Sequence, residues 1–246
     1  DICTEVAVVG AGMAGALIGY FLKKRGISCV ILEADRIGSG QTGRTTAKIT
    51  LQHGLIYDRL IQKFGEEKAL QYVASNRKAI DECRRIVQEE QVDCILEERS
   101  AFLYSCKDTK TLEKELSTAR RLGIEAEITK QTDLPFDIAG ALTYPNQAQF
   151  HPLRFLQAIT KNLDVYEKTM VTELRGHELF TEHGKVTADK IVIASHFPFL
   201  NTPGYYFMRM HQERSYVLAL ENAQQLSGMY LGIDEDGLSF RSSGGY

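Results

Sequence analysis

Apolar residues near the N-terminus follow the order strand, helix, strand. Val6 to Val9 form an unbroken apolar run that ends in glycines, which is typical of a strand buried on both faces of a parallel sheet. The segment "MAGALIGYFLKKRG" predicts a helix, because cations cluster in its last turn and Gly26 follows as a stop signal. The segment "ISCVILEAD" predicts a second buried strand. Together these elements predict a βαβ unit.

Downstream segments alternate between helical and extended patterns. Helices are predicted at 65–91, at "DTKTLEKELSTARRLG" and at "HPLRFLQAITKNL", the last with His151 as a capping residue. Strands are predicted at "SAFLYSC", "DKIVIAS", "ERSYVLALE" and "GMYLGIDE". The fully apolar strands predict an α/β fold, in which a Rossmann-like domain with a parallel sheet is interleaved with an α+β domain on a mainly antiparallel sheet. We expect the first domain at 1–90 and 145–203, and the second at 91–144 and 204–246.

Composition narrows the class of protein. The 246 residues can form one large domain or two smaller ones. A net charge of −3 argues against a nucleic-acid-binding surface, which carries a basic excess. No window reaches the roughly 18 apolar residues that span a bilayer, so no transmembrane segment is expected. Five cysteines without a CxxC pair favour reduced thiols in a cytoplasmic protein, and they predict no metal site.

Three glycines after the first strand fit the pattern GxGxxG. Gly10 permits the tight turn, Gly12 lets the backbone approach a pyrophosphate, and Gly15 lets helix and strand pack closely. Glu33, at the end of the second strand, can accept hydrogen bonds from a ribose 2′-OH and would repel a 2′-phosphate. The flanking strand, helix and acid make this pattern a specific indication of a dinucleotide other than NADP.

A second glycine-rich segment, "IGSGQTGRTTAKIT", follows the second strand. Its residues 38–48 offer glycine N–H groups, the charge of Arg44 and four hydroxyls, which can close over a pyrophosphate from the side opposite the first helix. Those hydroxyls belong to Ser39, Thr42, Thr45 and Thr46. The alternative is a polar surface loop. An NAD-dependent enzyme would predict a short loop and a helix after Glu33 instead, so the long segment favours FAD.

The two glycine-rich segments, read as "VVGAGMAG" and "LEADRIGSGQTGRTTAKIT", resemble the N-terminus of FAD-dependent oxidoreductases of the D-amino-acid oxidase and glycine oxidase superfamily. The segments "YPNQAQFHP" and "ERSYVLALE" resemble a bacterial subgroup that often carries a C-terminal Rieske-type iron–sulfur domain. The resemblance covers essentially the whole chain and implies FAD as cofactor. No C-x-H…C-x-x-H pair occurs in this chain, and elements that the family places after "GLSFRSSGGY" are missing, so we expect a truncated chain.

The resemblance also implies cofactor contacts, position by position, from both glycine-rich segments and from two later strands. These residues are Gly10, Gly12, Met13, Ala14, Gly15, Glu33, Ala34, Ser39, Arg44, Thr45, Thr46, Ala47, Val171, Ala194 and Ser195. The chain departs from the family pattern after Ser195, where His196 replaces the usual glycine. That departure puts close backbone approach at this point in question.

Four residues are candidates for the substrate side. Gln52 and His53 follow the second glycine-rich segment and can face the flavin, although His53 also suits a helix entry. Arg214 and Tyr216 share one face of the strand predicted at "ERSYVLALE". That face offers a cation for a carboxylate and a phenol for a hydrogen bond, the alternative being a half-exposed strand face.

The resemblance implies an FAD-dependent oxidoreductase of the amino acid or amine oxidase or dehydrogenase type. It implies oxidation of a C–N bond by hydride transfer to flavin N5, with the cofactor carrying the chemistry and no catalytic residue assigned. The partner is then a small-molecule amine or amino acid, and the electron acceptor stays open. The alternative is a flavin-binding electron-transfer module without its own small-molecule oxidase activity.

Overall fold

The computed structural model describes residues 1–200 and 204–243, which form twelve strands and five α-helices. The strands are β1 (Ile2–Val9), β2 (Cys29–Leu32), β3 (Lys48–Ile49), β4 (Glu97–Ser105), β5 (Glu127–Thr129), β6 (Gly140–Gln149), β7 (Asp164–Tyr166), β8 (Val171–Arg175), β9 (Glu178–Thr181), β10 (Gly184–Ile193), β11 (Met229–Gly232) and β12 (Ser239–Phe240). The helices are α1 (Met13–Lys24), α2 (Tyr57–Phe64), α3 (Glu66–Glu89), α4 (Lys110–Arg121) and α5 (Pro152–Thr160).

The chain forms two compact units, and each is built from separate segments. The first contains Asp1–Thr46, Glu90–Cys94 and His151–Tyr216, and the second contains Ala47–Glu89, Ile95–Phe150 and Val217–Tyr246. These segments differ from the expected boundaries, most of all because 47–89 pack in the second unit. The cause is a long-range pairing, since β3 joins β6 and carries α2 and α3 with it. The functional role of each unit stays a prediction.

The first unit is built on a six-stranded sheet in the order β7-β2-β1-β10-β9-β8. Its first four strands are parallel, and β8 and β9 continue the sheet as an antiparallel meander. Val6 and Val8 pack on one face with residues of α1, whereas Ala7 and Val9 pack on the other face with residues of the meander. Burial on both faces is the reason for the unbroken apolar run, and it confirms the Rossmann-like prediction.

The sequence indicates correctly where α1 ends and where α5 begins. Helix α1 stops before Gly26, whose φ of +71° is the left-handed conformation that glycine adopts at low cost. His151 caps α5, because its Nδ1 accepts a hydrogen bond from the Arg154 N–H at 3.4 Å. Pro152 occupies the first turn, where a missing N–H costs nothing.

The second unit is built on a mainly antiparallel sheet, in the order β12-β11-β4-β6-β3, with β5 also paired to β6. Only β11 and β4 run parallel among the strands that the structure describes here. Its main core joins Tyr57, Val73, Leu112 and Leu142, which come from α2, α3, α4 and β6. This arrangement confirms the predicted α+β unit with an antiparallel sheet.

A carboxylate from α4 caps the N-terminus of α2. Glu115 is 2% exposed, and its oxygens accept hydrogen bonds from the backbone N–H groups of Ile56 (2.9 Å), Tyr57 (2.7 Å) and Asp58 (3.1 Å). These are N–H groups that a helix start leaves without intrahelical partners. A buried negative charge at the positive end of α2 is therefore stabilised by three donors and by the helix dipole.

Two expectations about local structure are wrong. No strand forms at "ERSYVLALE", which is an exposed irregular segment in which Tyr216 is 86% exposed and Leu218 is 85% exposed. A strand needs a partner, and the described residues give this segment none. In α3, the spacing of Leu70, Val73 and Ile80 predicts that Leu70 shares the apolar face, but Leu70 is exposed, while Ala69 and Ile86 are buried. Among the helices described, none combines the length and the apolar content that crossing a membrane requires.

Candidate functional site

The candidate site is a cavity of about 650 Å³ in the first unit, at the carboxyl ends of β1, β2 and β10. Cavities of this size accommodate small molecules and cofactors, and this edge of an open parallel sheet is where such folds bind ligands. A wider hollow of about 1160 Å³ in the same unit follows 90–93 and α5. None of the residues predicted to contact the cofactor lines that hollow.

The presence of glycine at each of the three fingerprint positions has a different explanation. Gly10 has φ +106°, and a Cβ there would lie 2.7 Å from the Ala194 carbonyl oxygen. At Gly15 a Cβ would lie 1.9 Å from the Gly10 carbonyl oxygen, so helix and turn can approach only through glycine. At Gly12 the nearest atom to a Cβ is the Thr42 hydroxyl oxygen at 3.4 Å, an ordinary contact. No protein atom therefore requires glycine at 12, and the space beside it belongs to the cavity, which fits a backbone that approaches a pyrophosphate.

Glu33 connects the end of β2 to the fingerprint turn. Its carboxylate accepts hydrogen bonds from the Ala11 N–H at 2.7 Å and the Asp35 N–H at 2.9 Å. Each oxygen has a second lone pair, and Glu33 lines the cavity, so the carboxylate can still accept ribose hydroxyls. The two backbone donors fix the orientation of the side chain before a ligand arrives.

The second glycine-rich segment is held against the first. The Gly38 N–H donates to the Ala11 carbonyl at 3.1 Å, and the Thr42 hydroxyl accepts from the Met13 N–H at 2.9 Å. A Cβ at Gly38 would lie 2.7 Å from Leu156 of α5, so this position also needs glycine. The segment therefore forms a wall of the cavity rather than a free surface loop.

Thr42 also determines which helix donors face the cavity. The first N–H groups of a helix lack intrahelical partners, and Thr42 satisfies the one at Met13. Ala14 follows on α1 and lines the cavity. The remaining donors of the first turn, with the positive end of the helix dipole, are suited to an anion such as a phosphate.

The structure brings ten of the fifteen predicted cofactor residues together around the cavity. They are Gly10, Gly12, Met13, Ala14, Glu33, Ala34, Ser39, Val171, Ala194 and Ser195. Five are not among the lining residues: Gly15, which is buried under Gly10, and Arg44, Thr45, Thr46 and Ala47. Sequence reasoning assigned no cofactor contact to Met170, Phe197 and Phe199, which also line the cavity. Phe197 and Phe199 lie two and four residues after "IVIAS", and that position alone could have indicated them.

The four substrate candidates are divided between the two units. In the second unit, Gln52 is buried and its Oε1 accepts from the Gly54 N–H at 3.1 Å, while His53 is exposed with its Nε2 3.4 Å from the Asn76 Oδ1. In the first unit, Arg214 and Tyr216 are exposed on the irregular segment described above. Their assignment to the substrate stays a prediction.

The second unit holds a half-buried lysine on β3. The Lys48 Nζ donates to the Ser239 hydroxyl at 2.6 Å and to the Tyr230 carbonyl at 3.2 Å. Burial, followed by the nearby Arg241 guanidinium, lowers the pKa of Lys48 to about 8. Burial also lowers the pKa of Arg241, whose Nη1 is buried without a hydrogen-bond partner in the described part of the chain.

Comparison with known proteins gives one family over nearly the whole chain. A family model described as FAD dependent oxidoreductase, abbreviated DAO, matches residues 5–245. A Bacillus subtilis (strain 168) protein, provisionally named Rieske 2Fe-2S iron-sulfur protein YhfW, is 36% identical over 98% of this chain and 50% of its own length. Gamma-glutamylputrescine oxidoreductase of Escherichia coli (strain K12) is 26% identical over 79% of this chain and 49% of its own length. The chain spans about half the length of these curated relatives.

Solved structures show the same fold. The glycine oxidase from Geobacillus kaustophilus aligns with a TM-score of 0.71 at 21% identity, covering 100% of this chain and 70% of that chain. The L-proline dehydrogenase from P. horikoshii aligns with a TM-score of 0.64 at 18% identity, covering 79% and 53%.

Proposed function

The chain belongs to the family of FAD-dependent oxidoreductases, and on this premise we propose that it binds FAD and oxidises the C–N bond of an amine or amino acid. The observation that carries the cofactor assignment is Gly12, where the structure leaves space that no protein atom fills beside a cavity of about 650 Å³. Ten residues that the resemblance assigned to FAD line that cavity. Bound FAD supplies the hydride acceptor at N5.

We assign roles to the protein's own residues from their positions at the cavity. Gly12 and the first turn of α1 hold the pyrophosphate, and Glu33 holds the adenosine ribose. The 38–42 segment excludes water from the opposite side, because Thr42 and Gly38 fasten it to the fingerprint turn. Val171 and Met170 form the apolar wall suited to the adenine ring.

The substrate class is supported by the relatives. The proteins that align with this chain include one named for gamma-glutamylputrescine and others named for glycine and L-proline, which are amines or amino acids. Gln52, His53, Arg214 and Tyr216 are the residues proposed on the substrate side. A cytoplasmic location stays a prediction that rests on the cysteine pattern.

A second candidate function is electron transfer through a bound flavin without turnover of a small molecule. The name of the Bacillus subtilis relative favours it, because a Rieske centre is a one-electron carrier and that relative is twice as long as this chain. Anaerobic addition of amines and amino acids separates the two candidates. Bleaching of the flavin by one of them supports oxidation, whereas bleaching only by a chemical reductant supports electron transfer.

The cofactor assignment is tested by the visible absorption spectrum of the purified protein and by identification of the cofactor released on denaturation. The variant Gly12→Ala should lose FAD, because its methyl group points into the space proposed for the pyrophosphate. Gly12 has φ −76°, so alanine is not strained there, and the apoprotein should lose no more than about 1 kcal/mol for a weaker helix cap.

The matched variant is Gly15→Ala, whose methyl group would collide with the Gly10 carbonyl. It should lose both FAD and thermal stability. A Gly12→Ala protein that retains FAD with unchanged affinity would contradict the proposed cofactor position. A wild-type protein that takes up no FAD would contradict the function itself.

A further inference from the structure

A strained three-residue turn follows β10 at the edge of the cavity. The Phe197 N–H donates to the Ser195 carbonyl at 2.7 Å, and the Ser195 hydroxyl donates to the Phe197 carbonyl at 3.1 Å. His196 lies at the centre of this turn with φ +66°. A turn closed by a bond from residue i to residue i+2, with positive φ at its centre, is the rare and strained form of the γ-turn.

Glycine would adopt this conformation without strain, yet the chain has a histidine there. Non-glycine residues persist in strained conformations only where the surroundings impose them, and such residues cluster at ligand sites. Here two hydrogen bonds between Ser195 and Phe197 hold the turn closed, and the fingerprint turn at Gly10 packs against the residues that precede it. The His196 side chain is exposed and lines the cavity. The strain therefore points to a role for the imidazole.

Charge indicates what that role is. Among the described residues that line the cavity, Glu33 is the one fixed charge, and it is negative. The 38–42 segment contributes uncharged side chains, and Met170 and Val171 contribute apolar ones. Arg44 does not line the cavity. His196 is thus the one lining side chain that can become positive, while a dinucleotide pyrophosphate brings two negative charges.

The position of His196 is close to the fingerprint turn. A Cβ on Gly10 would lie 2.7 Å from the Ala194 oxygen and 3.2 Å from the Ser195 Cα, so the segment before His196 runs directly against that turn. The same turn leads into Gly12 and the first donors of α1, where the pyrophosphate is proposed to bind. The imidazole and the helix N-terminus can then approach one anion from two elements.

We propose that His196 binds the cofactor pyrophosphate as an imidazolium and makes FAD affinity depend on pH. This inference rests on the proposed function, since it requires FAD in the cavity. The pyrophosphate diester keeps its charge throughout the physiological range, whereas imidazole gains a proton between pH 8 and pH 5. Because the bound anion favours the protonated ring, binding takes up a proton, and affinity rises as pH falls through this range.

The test is calorimetric titration of the apoprotein with FAD and with ADP-ribose between pH 5.5 and pH 8.5. ADP-ribose keeps the pyrophosphate diester and lacks the flavin, so it reports on this end of the cavity alone. We expect the dissociation constant for both ligands to rise about tenfold from the lowest to the highest pH, which corresponds to about one pKa unit of preference for the charged ring. Two buffers with different ionisation enthalpies should reveal uptake of at most about half a proton, which is the maximum for a shift of one pKa unit.

Two variants of His196 distinguish an effect of its charge from an effect of the backbone conformation of the turn. His196→Gln keeps a hydrogen-bonding side chain without a charge, and His196→Gly removes the side chain together with the strain of the turn. Both should bind FAD with affinity that no longer changes with pH, and His196→Gly should not lower the melting temperature of the apoprotein. His211→Gln is the control, since His211 is exposed, lies outside the cavity lining and bonds to Glu213. It should retain the wild-type pH dependence.

The outcomes distinguish this inference from the function on which it rests. Wild-type protein that binds FAD with the same affinity at every pH, or variants that keep the wild-type pH dependence, would overturn the role of His196 alone. Absence of FAD binding at any pH would overturn the proposed function and this inference with it.

Discussion

Replacing Lys48 with methionine removes a positive charge that the second unit holds half-buried. Burial is the main cause that lowers the pKa of this lysine from 10.5 to about 8, and the positive charge of Arg241 is the second cause. Because the folded-state pKa is the lower one, the folded protein holds this proton more weakly than the unfolded chain, and stability rises with pH between 8 and 10.5. Below pH 8 both states are protonated and the full penalty applies. The difference between 10.5 and about 8 corresponds to roughly 3.5 kcal/mol at about 1.4 kcal/mol per pKa unit, and partial exposure of the side chain reduces it to about 3 kcal/mol.

The variant also loses the two hydrogen bonds from the Lys48 Nζ to Ser239 and Tyr230. Their net value is about 1 kcal/mol each, so Lys48→Met should gain about 1 kcal/mol of stability at pH 7. By pH 9.5 most folded wild-type protein carries a neutral lysine, and the relative advantage of the variant should fall by about 2 kcal/mol. The distinctive result is therefore a change with pH rather than a single difference.

Urea unfolding followed by circular dichroism at pH 7 and pH 9.5 measures both differences. Lys110→Met is the control, because Lys110 is exposed at the start of α4. It should show a small difference that is the same at both pH values. The reasoning would be refuted if Lys48→Met differed from wild type by the same amount at both pH values, since the lysine would then be as well solvated as an exposed one.

Two further predictions concern one buried and one half-buried group. Glu115→Gln replaces one carboxylate oxygen that caps α2 with an amide nitrogen, which cannot accept a hydrogen bond, so it should lower the free energy of unfolding in urea by about 2 kcal/mol. Glu113→Gln on the same helix is the control and should cost little, because Glu113 is exposed. Equal losses would contradict the capping role. Burial is the main cause that raises the pKa of Cys29 to about 11, and the Asp164 carboxylate is the second. Iodoacetamide at pH 8, followed by mass spectrometry, should therefore modify the exposed Cys106 more than about tenfold faster than Cys29. Equal rates would contradict the burial of Cys29.

The first unit was largely predictable from the sequence because its signals are local. The apolar run from Val6 to Val9, the glycines of the fingerprint and the stop at Gly26 each determine the backbone within a few residues. Tyr216 to Leu220 carry an equally clear strand pattern but form no strand. A strand is defined by pairing with another strand, and propensity does not supply the partner.

The site was predictable where it follows the fingerprint and not where it depends on distant contacts. Ten expected residues line the cavity, because the ends of β1, β2 and β10 meet at one edge of the sheet. Met170 reaches the cavity only through the chain path after β7, and the hydroxyl of Thr42 finds its partner at Met13, 29 residues earlier. The placement of 47–89 in the second unit depends in the same way on pairing between β3 and β6.

The parallel pairing of β1 with β10 determines when the sheet can form during synthesis, as well as its shape. Ile2 pairs with Val186 and Val9 with Ile193, so one edge of the central strand has no partner until the strand 184 residues further along the chain has been synthesised. At about 5–20 residues per second, that interval is roughly 10 to 40 s on the ribosome. An apolar strand with an open edge is a template for pairing with other chains. The nascent protein should therefore need chaperone protection during that interval, and a chain stalled before β10 should aggregate rather than fold.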